Sequence, residues 1–401
     1  MHLRRLILEE FRLYHHLELE LAPAGLALHG ANASGKSTLL EAIAMLATTR
    51  SARGSGEREV VNWRSGQEFG FPPFARVRGH VERLEDEVDV EIALQLDANG
   101  NGPLQKAIRL NGRTVRAMDA VGSLKTVLFA PEDVALVSGP PAGRRRYLDL
   151  MISQIDGRYL RALARYNRIL EQRNSLLRSL GREGASAASA AVNAQLAYWD
   201  EELVAFGSRV IARRLLASRR LAAHAAVRYA SFGDNRELSI GFRPSVDDPS
   251  CRSAAETGGA EATQAVVARS FGDQIQEIRR DELRRGISLI GPHRDDFSLA
   301  LDGVDLAAFG SRGQQRLAVV ALKLAETDLM REETGERPVI LLDDVLSELD
   351  PRRRDDLTRA VTDLDAQVIV TATDVETIDR SPLSILPRAE VSNGVVQKTS
   401  T

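Results

Sequence analysis

Residues Gly30-Ala31-Asn32-Ala33-Ser34-Gly35-Lys36-Ser37 fit the pattern G-x-x-x-x-G-K-[ST], a loop suited to surrounding phosphates. The apolar run Leu26-Ala27-Leu28-His29 leads into it, and Leu39, Leu40, Ile43 and Leu46 follow at helical spacing, so the loop joins a strand to a helix. Glycines and small side chains let backbone N–H groups close on phosphate oxygens, while the helix aims its positive end at them. Lys36 then reaches the β and γ phosphates, and Ser37 offers its hydroxyl to Mg²⁺. The expected ligands are ATP and Mg²⁺, with Gly30, Ala31, Asn32, Ala33, Ser34, Gly35, Lys36, Ser37 and Thr38 as ATP contacts.

A second half of the site stands near the other end of the chain. Val339-Ile340-Leu341-Leu342 is an apolar strand ending in Asp343-Asp344. A carboxylate there can hold Mg²⁺ and its neighbour can polarise an attacking water. Asp343 is thus the metal ligand beside Ser37, and Asp344, Asp343 and Lys36 form the expected catalytic group. In isolation the same pair reads as an acidic turn; the phosphate loop elsewhere in the chain favours the metal site. Before the strand lies Ser311-Arg312-Gly313-Gln314-Gln315-Arg316, opening a helix expected over 314–333, and after it Ser347-Glu348-Leu349-Asp350. A site split in this way makes the middle of the chain an insertion in an ATPase.

The 401 residues leave room for two or three domains. With 43% hydrophobic and 27% charged residues the composition is that of a soluble globular protein, and no apolar run approaches the roughly 18 residues of a membrane span. The first ten residues lack the apolar core and cleavage site of a secretory signal, so a cytoplasmic location without a membrane partner is expected. The single cysteine, Cys251, excludes an intrachain disulfide and a cysteine-built zinc site, and its polar, Gly- and Pro-flanked setting reads as a loop thiol. The net charge of −3 conceals an uneven distribution. Residues 141–230 hold sixteen arginines, no lysine and seven acids, a local +9 that leaves −12 for the remainder. Such asymmetry points towards nucleic acid.

Strand-like segments fill the first part of the chain, with hairpins expected at 74–96 and, around Asn111-Gly112, at 108–115. From Gly143 the pattern turns helical. Tyr159, Leu163, Tyr166, Leu170, Leu177 and Leu180, then Val192, Leu196, Trp199, Leu203, Phe206 and Val210, predict two helices of a few heptads packed along a seam. Residues 244–262 read as a surface loop, Gly286 as a helix cap, Ile287–Ile290 and Phe297–Leu301 as strands, and Val339–Leu342 and Val368–Val370 as buried strands of a mostly parallel sheet. The expected fold is therefore α/β: an ATPase domain formed by residues 1–115 and 286–401, with an inserted, mainly helical lobe over 116–285.

Ser311–Arg316 resembles the L-S-G-G-Q signature of ATP-binding-cassette (ABC) ATPases, and Ser347–Asp350 looks like that family's D-loop. The resemblance implies that Ser311, Gly313, Gln314 and Asp350 act in trans on ATP bound by a second copy, in a homodimer that forms with ATP and parts after hydrolysis. Two positions depart from the family pattern. Asp344 stands where most members have Glu, and Thr373 where a switch histidine is usual, which together imply slow hydrolysis. Gln67 is the candidate for the lid glutamine.

Phe129-Ala130-Pro131-Glu132-Asp133-Val134, running on to Arg144-Arg145-Arg146-Tyr147-Leu148-Asp149, together with Gly291-Pro292-His293-Arg294-Asp295-Asp296 and Phe11-Arg12, resembles the RecF family of recombination mediators over nearly the whole chain; 181–195 and 244–262 are unmatched. The resemblance adds Arg12 to the ATP contacts. It implies a weak, DNA-stimulated ATPase at the nucleoid that binds double-stranded and gapped DNA without sequence specificity, and that works with RecR and RecO to load RecA. Arg144, Arg145, Arg146, Arg213 and Arg214 are the candidate DNA contacts, although the triple arginine also reads as a solvated turn. His293 reads either as a satisfied strand-end residue or as a sensor of nucleotide or DNA; Asp295 and Asp296 fix a turn, and Tyr159, Tyr166 and Trp199 belong to the core. A transporter-type ABC subunit shares the nucleotide motifs but leaves the basic segment without a purpose. An SMC- or SbcC-like ATPase requires far more coiled coil than two short helices.

Overall fold

The strand that feeds the phosphate loop, Gly25–His29, lies inside a six-stranded sheet ordered Val395–Thr399, Arg388–Ser392, Gly25–His29, Val368–Ala372, Val339–Asp343, Thr126–Phe129. All neighbours run parallel except the terminal hairpin of Arg388–Ser392 with Val395–Thr399. Parallel strands covered on both faces read as unbroken apolar runs, which is why Val339–Leu342 and Val368–Val370 carry no polar alternation. The structure, a computed structural model, describes residues 1–51, 56–66, 72–97, 102–184, 186–234 and 236–399.

A second sheet is antiparallel, in the order Tyr14–Glu20, His2–Phe11, Phe74–Glu82, Glu87–Gln95, Gln105–Leu110, Arg113–Val115. Its strands alternate buried and accessible residues, as a sheet with one wet face must. The helix Lys36–Thr48 is buried along nearly its whole length, and Leu39, Leu40, Ile43 and Leu46 share one core with Leu3, Leu6 and Leu8 of the antiparallel sheet and Leu341 and Ile369 of the parallel one. The buried Gln367 side chain closes that core. Its amide bonds both the N–H and the C=O of Leu3 (2.7 and 2.9 Å) and the carbonyl of Ala22 (2.9 Å).

The chain divides into two compact units, Met1–Val134 with Arg228–Asp234 and Arg312–Thr401, and Ala135–Val227 with Asn235–Ser311. The limits drawn at 115 and 285 therefore move. Thr126–Phe129 pairs with Val339–Asp343 and belongs to the ATPase sheet. Asp296–Leu301 pairs antiparallel with Leu238–Arg243, which puts the segment before the signature into the lobe.

In the lobe, helix Gly157–Arg182 runs against helix Ala190–Ala230. Leu177 and Leu180 share a cluster with Val192 and Leu196, whereas Tyr166 and Ile169 share one with Leu203 and Ile211, so the helices are antiparallel. The second spans 41 residues, roughly 60 Å, because Leu215, Leu221, Ala225 and Tyr229 continue its buried stripe beyond Val210. Two expectations fail here. Within 244–262, Pro249–Thr257 is a helix, capped by the Asp248 side chain and started by its proline; it buries Cys251, whose thiol pKa burial raises. Ile287–Ile290 is not a strand, since side chains take the place of a ladder: Asn174 accepts from the Ser288 N–H (2.7 Å) and Glu282 from that of Leu289 (3.0 Å).

Candidate nucleotide-binding site

The phosphate loop is shaped by its own surroundings. Gly30 has φ 147°, and a Cβ there would lie 2.2 Å from the Val391 carbonyl oxygen; Gly35 has φ 119°, and a Cβ would lie 2.9 Å from the Tyr14 hydroxyl. Tyr14 in turn donates to the Gly35 carbonyl (3.1 Å), which ties the turn of the first hairpin to the loop. Lys36 donates to the carbonyls of Gly30 (2.7 Å) and Ala31 (2.9 Å), so its ammonium sits in the mouth of the loop. Burial lowers its pKa, against the opposing pull of Asp344 and Asp343.

The two halves of the site meet at Ser37. Its hydroxyl donates to Asp343 Oδ1 (2.6 Å), across 306 residues of sequence. Thr371 donates to the same oxygen (3.1 Å) and accepts from the Asp344 N–H (2.9 Å), clamping the end of the acidic strand. Sequence reasoning overlooked Thr371. The available signal was a hydroxyl at the end of a buried strand, in register with Asp343. Asp344 stands in left-handed backbone, φ 52°, with burial raising its carboxyl pKa. At this site, Asp344 Oδ1 and Ser34 Oγ are among the buried side-chain atoms that lack a hydrogen-bond partner. Orphaned polar atoms beside a partly desolvated lysine fit a polyphosphate with its metal, since such atoms are costly unless a ligand pairs them.

Other predicted residues occupy supporting places. Arg12, with φ 51°, donates to the buried Glu41 (2.8 Å), which also accepts from Ser51 (2.6 Å). The guanidinium is thereby held on the phosphate-loop helix. Thr373 donates to Asn32 Oδ1 (3.2 Å), placing it at the loop. Asp350 caps the helix Pro351–Thr362 by accepting from the Arg353 N–H, and Arg316 forms an ion pair with Glu348, joining the signature helix to the D-loop-like segment. Gln67 lies outside the described residues.

The signature helix Arg312–Thr334 begins exposed, with Ser311, Arg312 and Gly313 all in solvent. A Cβ built on Gly313 would meet nothing within 4 Å. Glycine inside a helix costs about 1 kcal/mol relative to alanine, and nothing in this chain requires it here.

The lobe corrects the candidate DNA contacts. Arg214 is 2% exposed, and its guanidinium bonds Asp149, Asp295, the Tyr159 hydroxyl and the Pro292 carbonyl. Arg144 is bidentate on Asp296 (2.7 and 2.9 Å) with a third bond to the Gly139 carbonyl (2.7 Å). Neither can reach a DNA phosphate. Arg145 donates to the Asp295 carbonyl and Arg213 to Asp156, and both are half-buried; Arg146 is the exposed member of the set. The strings at 144–149 and 291–296 are thus bolted to one another. His293 completes the junction, between the Tyr166 hydroxyl (2.6 Å) and the Ser288 carbonyl (3.1 Å), with burial bringing its pKa down to about 4. Asp295 and Asp296 are spent on arginines, and no metal-binding cluster occurs among the described residues. Sequence reasoning also missed Arg158, Arg161, Arg165 and Arg168, exposed at three- and four-residue spacing on one face of helix Gly157–Arg182.

A parallel sheet holding the phosphate loop and the acid-terminated strand, with a signature helix leading into that strand, defines an ABC-type ATPase head. A family model described as the RecF/RecN/SMC N terminal domain matches residues 2–393. The chain is 44% identical over 396 residues to the DNA replication and repair protein RecF of Thermomicrobium roseum, covering 98% of this chain and 99% of that protein. It is 45% identical over 401 residues to that of Chloroflexus aurantiacus, covering 99% of each. It belongs to the RecF family of DNA replication and repair proteins. A solved structure of the recombination mediator protein RecF with ATP, in the RecFOR pathway, superposes with TM-score 0.83 at 30% identity over 99% of this chain and 97% of that one. An SMC head bound to the C-winged helix domain of ScpA shares the fold alone, at TM-score 0.54 and 14% identity.

Proposed function

We propose that the protein is an ATP-gated DNA clamp: a recombination mediator that dimerises around two ATP molecules, holds duplex or gapped DNA, and works with RecR and RecO to promote RecA loading. The observation that carries this reading is Gly313, a helical glycine that its own chain does not need. A backbone left bare at the start of an exposed helix suits close approach by a phosphate from outside the chain. Ser311 and Gln314 beside it, and Asp350 at the D-loop-like segment, extend the same surface. Within one chain Lys36, Ser37 and Asp343 are assembled as the cis half. Mg²⁺ held by Ser37 and Asp343 would neutralise charge between the β and γ phosphates. Asp344 orients the attacking water as a carboxylate one methylene shorter than glutamate, which supports slow hydrolysis and a switch reset on that timescale.

DNA contact is assigned to exposed arginines, Arg146 and the row Arg158, Arg161 and Arg168, which suit backbone phosphates without reading bases. Binding is then salt-sensitive and indifferent to sequence. The test is Ser311→Arg, assayed for ATP binding and for assembly. ATP affinity is expected to stay at the wild-type value while ATP-dependent dimers disappear. Loss of ATP binding in that variant would place Ser311 in the cis site and refute its role in trans.

A further inference from the structure

The strand Val368–Ala372 is buried and apolar with one exception, Thr371, which is 0% exposed. Valine would fill the same space, and burying a hydroxyl is unfavourable unless its hydrogen bonds offset the loss of water. The parallel register sets Thr371 opposite Asp343, where its Oγ1 meets three groups. It accepts from the Asp344 N–H (2.9 Å) and lies 3.1 Å from Asp343 Oδ1 and 3.3 Å from the Leu342 carbonyl. A hydroxyl has one proton, so it donates to one acceptor at a time. The carboxylate is the nearer acceptor and carries charge, which makes it the stronger one. Resting on the nucleotide reading above, we infer that Thr371 is a positioning residue for ATP hydrolysis. Its single buried hydroxyl sets both acids, orienting the Asp343 carboxylate for the divalent metal and fixing the backbone from which the Asp344 carboxylate reaches the attacking water.

The two acids need setting for different reasons. An aspartate carboxylate turns easily about its terminal torsion. At Asp343 that freedom is restricted by two hydroxyls on one oxygen, Ser37 from the phosphate-loop helix (2.6 Å) and Thr371 from the neighbouring strand. Ser37 is also the expected metal ligand, so its hydroxyl serves two roles, whereas Thr371 grips the carboxylate from the protein side. At Asp344 the backbone is the difficulty. Its φ of 52° is left-handed, a conformation disfavoured for a residue with a Cβ, and Thr371 Oγ1 takes the N–H of that residue. The position so fixed matters more for aspartate than for glutamate, because the shorter side chain has one methylene fewer with which to reach the water.

The test uses the full chain and compares ATP affinity in EDTA with ATP affinity in Mg²⁺. Thr371→Val is expected to leave the affinity in EDTA unchanged and to reduce the strengthening given by Mg²⁺ about tenfold. At saturating Mg-ATP its kcat should fall by a similar factor. Thr371→Ser keeps the hydroxyl and should restore both, and Thr371→Ala carries the same expectations as Thr371→Val should valine not be accommodated. Thr358→Val is the control for losing a buried hydroxyl in the same unit: Thr358 is 0% exposed, bonds the helix carbonyls of Arg354 and Asp355, and should leave the Mg²⁺ dependence at its wild-type value. Wild-type Mg²⁺ dependence in Thr371→Val and Thr371→Ala, or equal losses of affinity in EDTA and in Mg²⁺, would overturn the assignment. Wild-type protein that binds ATP in neither condition would instead sink the nucleotide reading itself, and this inference with it.

Discussion

The nucleotide site and the arginine-rich strings of the lobe both consist of charged and small residues in short motifs, yet the structure treats them in opposite ways. In the lobe the named charges are partnered within the chain: Arg214 by Asp149 and Asp295, Arg144 by Asp296, His293 by Tyr166 and Ser288. At the nucleotide site, Asp344 Oδ1 and Ser34 Oγ are left over, Lys36 rests on loop carbonyls, and Gly313 answers no internal need. Buried polar groups that satisfy one another build architecture; Asp344 Oδ1 and Ser34 Oγ, unsatisfied beside Lys36 and the phosphate loop, are placed where a ligand would complete the structure. A motif that identifies a family can therefore do either job, and its partners decide which.

The sharpest way to break this contrast is at Arg214. Arg214→Ala leaves the buried Asp295 uncompensated and should cost about 3–5 kcal/mol in denaturant unfolding; a stable variant with weakened DNA binding would return Arg214 to the functional surface. Next comes the pH dependence of stability. With a folded pKa of about 4 against an ordinary 6.5, His293 binds fewer protons folded than unfolded. Its contribution is complete above about pH 6.5 and is lost as pH falls towards 4, on the order of 3 kcal/mol. His293→Gln should flatten that part of the stability curve relative to wild type, and identical curves would contradict the assignment.

Lys36→Met tests the other side. Losing the charged phosphate contact should weaken ATP binding by about 2 kcal/mol, roughly thirtyfold, while the apo fold keeps its stability, because burial already disfavours the lysine charge. A large drop in unfolding free energy would mean that Lys36 is structural. The smallest effect is the most specific. Gly313→Ala should stabilise the isolated chain by about 0.5–1 kcal/mol and still impair ATP-dependent assembly; normal assembly would remove the argument for a bare backbone.

The ATPase half was readable because its chemistry depends on local spacing. The phosphate loop, the acid-terminated strand and the signature each declare themselves within about eight residues. The partnering of Ser37 with Asp343 followed from the chemistry, but the clamp by Thr371 did not, since register between distant strands is not written in a local string. The lobe misled for a related reason. A run of three arginines looks the same whether it meets solvent or carboxylates, and Asp149, Asp295 and Asp296 reach Arg144 and Arg214 only through tertiary folding. Pro249 lies in a stretch that reads as a loop, yet it opens a helix, a position proline tolerates as well as a turn. The row from Arg158 to Arg168 is legible in its three- and four-residue spacing, but a dense triplet is the stronger local signal, and spacing alone does not show which of the two meets solvent.

The central claim is that the nucleotide site is finished only by a second copy of the chain. The direct measurement is the mass in solution of wild type and Lys36→Met, each with and without Mg-ATP. Wild type should move from 43.9 kDa towards twice that value when ATP is added, and Lys36→Met should not. Wild type remaining at 43.9 kDa at ATP concentrations that saturate binding would contradict the account.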